Sequence, residues 1–182
     1  MNYNCSTNLE DPSRWPEERK KMPSEAHTGV MKVREALEAR GFASRVVALD
    51  RTARSATEAA AALGCRVEQI VKSLVFRSGL TGRPVLVLVG GANRVDERKI
   101  SDLISEPVEK ADAGYVRKQT GFSIGGVPPV GHAERPVTFV DEDLLREEEI
   151  WASAGHTHAV FKLDPTELLE MTGGLVVAVK RE

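Results

Sequence analysis

The chain has 182 residues, 25 Lys and Arg against 27 Asp and Glu, 41% hydrophobic residues and two cysteines. That length suits one domain burying roughly 70% of its unfolded surface, large enough to fold without a disulfide or a metal. A net charge of −2 argues against a protein that coats DNA or RNA through basic charge, though not against a small contact with the end of an RNA.

Residues 1–27 hold four Lys or Arg, five Asp or Glu and three Pro but almost no aliphatics. They read as an extension or loosely docked arm, with Trp15 the one residue able to pin it. This N-terminus lacks the charged-then-apolar layout of a secretion signal. No run approaches the ~18 apolar residues of a membrane span. Cys5 and Cys65 fit no CxxC spacing, so neither a disulfide framework nor a thiol site is expected. A cytoplasmic protein without membrane or DNA partners is the expectation, its main domain spanning residues 28–182.

From Thr28 the pattern changes. Val30, Val33, Ala36 and Leu37 recur at helical spacing, with Gly41 as the stop. Arg45–Asp50 reads as a strand. Ser55 and Glu58 form a capping-box pattern opening an alanine-rich helix that Gly64 ends. A short turn over Val67–Val71 leads into the strand SLVFR. Pro84–Val89, a continuous apolar run of strand length, predicts a strand buried on both faces. Helices are expected over Asp96–Ile104 and Asp112–Gln119, the second closed by Gly121, followed by the loop GFSIGGVPPVGH. Val137–Val140 is a short strand, and DEDLLREEE, with six acids in nine residues, reads as a solvated helix face. Strands follow at Ile150–Ser153 and Ala159–Leu163. Asp164-Pro165 caps a last helix that Gly173-Gly174 ends, and LVVAV finishes the domain. No repeat is present, and the irregular mixture predicts an α+β or mixed α/β domain.

Three places could carry chemistry. In the loop from Gly125 to His132, glycines permit close backbone approach while Pro128 and Pro129 stiffen the chain, so main-chain groups could hold a small ligand; a structural turn has the same signature. Lys72 would share a strand face with Leu74 and Phe76, placing its ammonium at a cavity margin or letting it snorkel to water. His156 and His158, at i and i+2, are too few for a zinc site without another ligand. No GxSxG elbow surrounds Ser73, Ser123 or Ser153, and no paired-carboxylate or phosphate-loop signature is present.

At these places the sequence resembles the editing domains of bacterial prolyl-tRNA synthetases and their free-standing YbaK/ProX-type relatives. The segments that carry the resemblance are ATEAAAALG with QIVKSLVF, PVLVLVGGANRVD, GFSIGGVPPVG, and SAGHTHAVFKLDPTELLEMTGG. The resemblance implies a single domain whose mixed, partly barrel-like sheet is surrounded by helices. It implies hydrolysis of the ester joining a wrong, small amino acid (Ala, Ser, Thr or Cys) to the 3′ end of a tRNA, without a cofactor or a metal. Lys72 would hold the acceptor end, and the GxxxP pattern falls on Gly125 and Pro129, whose backbone would position the amino acid and the attacking water. Phe122, Gly126, Ser153, Gly155 and His158 would contact the substrate. Proton transfer would fall to the tRNA's own neighbouring ribose hydroxyl, the protein positioning and polarising. Prolyl-tRNA synthetase is the implied protein partner. The chain departs from the family at His156-Thr157-His158 and at Val160, which leaves the side-chain preference open. The alternative function is a binding module that captures an aminoacyl-tRNA end or an amino acid without cleaving it.

Overall fold

A computed structural model describes residues 24–42, 45–49 and 52–182, with side chains from residue 28 onward. The expectations for Trp15, Cys5 and Asp50 lie outside the described residues. The first helix, α1 (Ser24–Glu38), begins four residues ahead of the expected start at Thr28. It buries Val30, Val33 and Leu37, the predicted stripe. Strand β1 is shorter than expected, Val46–Ala48. Helix α2 (Ala56–Leu63) is capped by the Ser55 hydroxyl, which accepts from the Glu58 amide, and ended by Gly64 in the left-handed region. The Glu58 carboxylate takes the Arg54 amide rather than that of Ser55, so the box is displaced by one residue.

A 3₁₀ turn, Val67–Gln69, enters β2 (Val71–Ser78), which pairs antiparallel with β3 (Pro84–Gly90). Helix α3 (Glu97–Ile104), the three-residue β4 (Val108–Lys110) and α4 (Ala113–Thr120) follow. After the glycine-proline loop come β5 (Val137–Asp141), a 3₁₀ turn over Glu142–Arg146, β6 (Ile150–His156), β7 (Ala159–Leu163), α5 (Pro165–Thr172) and β8 (Leu175–Val177). Asp96, Asp112 and Asp164 cap α3, α4 and α5 through side-chain bonds to helix amides, as their positions in the sequence imply.

The strands form two sheets, β1-β7-β6 and β4-β2-β3-β5-β8. The domain is thus mixed α/β as expected, with its β-structure divided between two sheets and not closed into a barrel. Strand β3 is buried along its whole length. Leu86 and Leu88 face the main core with α1, β6 and β7, whereas Val85, Val87 and Val89 face a second cluster with Ile100 and Phe139. Burial on both faces is why this strand reads as an unbroken apolar run.

Three local expectations are corrected. Strand β4 had no periodic signal. Strand β6 continues past Ser153 through a register shift at Gly155, whose φ of 89° admits the bulge. The acidic segment is no solvated helix: Asp141 and Leu144 are fully buried, and only a single 3₁₀ turn forms there.

Candidate active site

Strand β4 pairs only with Phe76, Arg77 and Ser78. The first half of β2 is therefore unpaired along that edge, and β6 approaches it, joined by one bridge between Ile70 and Trp151. A cavity of about 270 Å³ opens at this seam between the sheets, bounded by β2, β6, the start of α2 and the glycine loop.

Lys72 stands at its margin. Its β2 face carries Leu74 and Phe76, which pair across to Val87 and Val85. The ammonium donates to the main-chain oxygen of Asn93 at 2.5 Å. Asn93 closes the turn after β3, its amide donating to the Gly90 carbonyl at 3.0 Å. Its side-chain nitrogen donates to Asp141 at 2.7 Å and to Asp143 at 2.8 Å. Both amide protons are thereby committed, and the carbonyl that meets Lys72 is held in place. Burial pushes the Lys72 pKa down, the Arg94 charge adds to that, and Asp141 opposes it. Gly91 lets this turn sit against the chain before β2: a Cβ there would lie 2.3 Å from the Val67 carbonyl oxygen.

Three polar atoms around the cavity have no hydrogen-bond partner among the described residues: Ser73 Oγ, Ser153 Oγ and Trp151 Nε1. A buried polar atom left unpaired costs about 1–3 kcal/mol, and all three belong to residues that line the cavity. Neither serine is bonded to a base, so neither is an activated nucleophile.

The opposite wall is the glycine loop. Gly125 has a φ of 85°, and Gly126 lies so close to β6 that a Cβ would be 3.0 Å from His156 Cα. The His132 ring donates through Nε2 to the Pro128 carbonyl at 2.6 Å, pinning the loop from behind. Burial holds His132 below the ordinary histidine pKa, and its Nδ1 has no partner among the described residues. His156 lines the cavity; its Nδ1 accepts from the His158 amide at 3.3 Å, which leaves the proton on Nε2. His158 stacks on it at 5.4 Å and bonds Thr52 Oγ1 at 2.6 Å.

The structure thus brings together Lys72, Gly125 and Ser153 from the sequence-predicted set. Phe122, Gly126 and Gly155 line a neighbouring cavity. Pro129 is buried and faces a third, with Arg40 and Arg135. His158 touches the site through His156. Sequence reasoning missed Ser73 as a lining group, Trp151, and the Asn93–Asp141–Asp143 clamp. The GGAN turn after a buried strand was the one available signal for Asn93. Among the described residues no three His, Cys, Asp or Glu gather as metal ligands, and no helix is long and apolar enough to cross a membrane.

The sequence model of the aminoacyl-tRNA editing domain matches residues 50–171, most of the chain and every wall of this cavity. The chain belongs to the aminoacyl-tRNA editing domain family. Relatives of this editing domain include the uncharacterised YwhH of Bacillus subtilis, 28% identical over 127 residues that cover 70% of this chain and 80% of that protein. A candidate Cys-tRNA(Pro)/Cys-tRNA(Cys) deacylase of Enterococcus faecalis, EbsC, is 29% identical, with 66% of this chain and 73% of that one covered. A crystal structure of a candidate trans-editing enzyme for prolyl-tRNA synthetase superposes with a TM-score of 0.80 at 46% identity, covering 85% of this chain and 98% of the other. The function of this editing domain is accordingly of the aminoacyl-tRNA editing class, with an aminoacyl-tRNA as substrate.

Proposed function

We propose that the chain is a free-standing deacylase, hydrolysing in trans the ester between a small amino acid (Ala, Ser, Thr or Cys) and the 3′ end of a mischarged tRNA, in the cytoplasm where tRNA is charged. The observation that carries this reading is the seam cavity itself. It places one partly desolvated ammonium, two unpaired hydroxyls and an indole N–H around a space of about 270 Å³ with no activated nucleophile. That volume lies below the ~300–1,000 Å³ of drug-sized clefts. It is on the scale of a single aminoacyl group.

In this reading Lys72 meets the aminoacyl carbonyl oxygen or the terminal phosphate and stabilises negative charge as it develops. The Gly125 backbone positions the amino acid and the water, while Ser73 and Ser153 orient the ester. Pro129 acts from behind by stiffening the loop. The neighbouring ribose hydroxyl of the tRNA carries the proton. A link to prolyl-tRNA synthetase is supported by the proline–tRNA ligase of Limosilactobacillus fermentum, 32% identical over 96 residues that make up 17% of that enzyme.

The test is a deacylation panel over tRNAs mischarged with Ala, Ser, Thr and Cys. The expected outcome is turnover on at least one, with Lys72→Ala slowing it at least about 100-fold, the size of effect seen when one preorganised donor is removed. Stoichiometric capture with a stable ester in every case overturns the reading in favour of a binding module.

A further inference from the structure

The turn that meets Lys72 is also held from the side away from the cavity. Strand β8 ends with Val177 opposite Asp141 of β5, and the residues that follow, Val179–Arg181, run along the turn after β3. Val95 and Lys180 form an antiparallel bridge there, with a main-chain bond on each side of it. The Asp96 amide donates to the Val179 carbonyl and the Arg181 amide to the Arg94 carbonyl, both at 2.8 Å. Val179 is fully buried in the cluster of Val85, Val87 and Val89, against which Val95 packs. The Lys180 ammonium lies 3.5 Å from the Asp143 oxygen that also accepts from Asn93, but so exposed an ion pair adds little. The main-chain bonds and the buried valine supply the hold. Two consecutive carbonyls thus face opposite ways: that of Asn93 accepts from Lys72, and that of Arg94 accepts from Arg181. Peptide units are planar, so only the two backbone dihedrals of Arg94 separate these carbonyls.

We propose that Val179–Arg181 is a positioning element for the reaction: its grip on the Arg94 carbonyl fixes the adjoining Asn93 carbonyl and, through it, the Lys72 ammonium at the margin of the seam cavity. This rests on the deacylase reading and adds to it three residues outside the cavity lining. They act only through the turn and touch no reacting atom.

The test compares, in the full chain, Arg181→Pro, which removes the amide that reaches Arg94, with Arg181→Ala, which keeps it; the side chain is exposed. On an aminoacyl-tRNA that the unaltered protein cleaves, Arg181→Pro is expected to lower kcat about tenfold with KM within about twofold, the scale of a small misplacement. Arg181→Ala should leave both as they were. Added to Lys72→Ala, Arg181→Pro should cost less than about twofold, because the group being positioned is already gone; a general structural defect lowers both backgrounds by the same factor. Hydrogen exchange checks the physical step. The Asn93 and Asp96 amides, both bonded in the turn, should exchange at least about tenfold faster in Arg181→Pro, with those of Leu86–Val89 as protected as before. Equal losses with and without Lys72, or a turn that is not loosened, overturn the proposal. Failure of the deacylase reading looks different: the unaltered protein then cleaves no ester, and the titration of Lys72, followed by NMR of isotope-labelled lysine, decides instead. Arg94, whose charge lowers the Lys72 pKa, is released with the same bond, so that pKa should rise in Arg181→Pro and not in Arg181→Ala. A Lys72 titration that stays in place in both overturns the positioning role.

Discussion

The two walls of the seam cavity are built by opposite means. On the Lys72 wall, position is set by polar groups: an ammonium on a carbonyl, and that carbonyl's residue held by two carboxylates. On the glycine wall, position is set by the absence of side chains: Gly125 lines the cavity, and behind it Gly126 packs on the β6 backbone and Gly155 on that of Gly29. A wall of the first kind responds to charge and pH and tolerates changes of volume. A wall of the second kind is indifferent to charge and intolerant of a methyl group.

The largest effect should come from the glycine wall. Gly155→Ala places a Cβ 2.5 Å from the Gly29 carbonyl oxygen at a φ of 89°. Backbone strain and overpacking together are expected to cost about 2–5 kcal/mol, read as a lower denaturation midpoint, with activity falling in parallel. On the polar wall Asn93→Ala keeps the carbonyl but frees the turn. Deacylation should slow by roughly tenfold, the scale of a small misplacement. Because the buried Asp141 carboxylate loses a partner, stability should also fall by about 1–3 kcal/mol, read as a lower denaturation midpoint. The smallest effect is a shift in pH dependence. The ammonium of Lys72 must be charged to act, so the rate declines as pH rises through its lowered pKa. Asp141 raises that pKa; Asp141→Asn removes the support, and the alkaline decline should begin at lower pH. A decline that moves to higher pH, or stays where it was, would break the assignment of Asp141 as the distant counter-charge.

Much of the fold was legible because its signals are local. Each capped helix carries its Asp or Ser at one end, and Gly64, Gly121 and Gly173 at the other are all left-handed. Strand β3 was legible from composition, since two-sided burial leaves no polar residue in the run. The bulge that extends β6 was not, because a glycine among small residues reads equally well as a strand end. At the site, Lys72 was visible as a lone cation on an apolar strand face. Its connection to Asp141 was not, since that link runs through a turn far from either residue in the chain and depends on how β3 and β5 lie side by side. The two ends of the GxxxP pattern part in space, since Gly125 lines the cavity and Pro129 faces another, a divergence that spacing alone does not show.

The mutual contact of Gly29 and Gly155 also bears on the order of assembly. It joins the first helix to a strand near the end of the chain, so it closes a very long loop, whose entropy opposes contact formation until other packing offsets it. The backbone contact beside the glycine loop thus exists only once α1 has docked on β6. Assembly of that wall is thereby tied to a long-range closure, whereas the Lys72 wall rests on contacts among β2, the turn after β3 and β5.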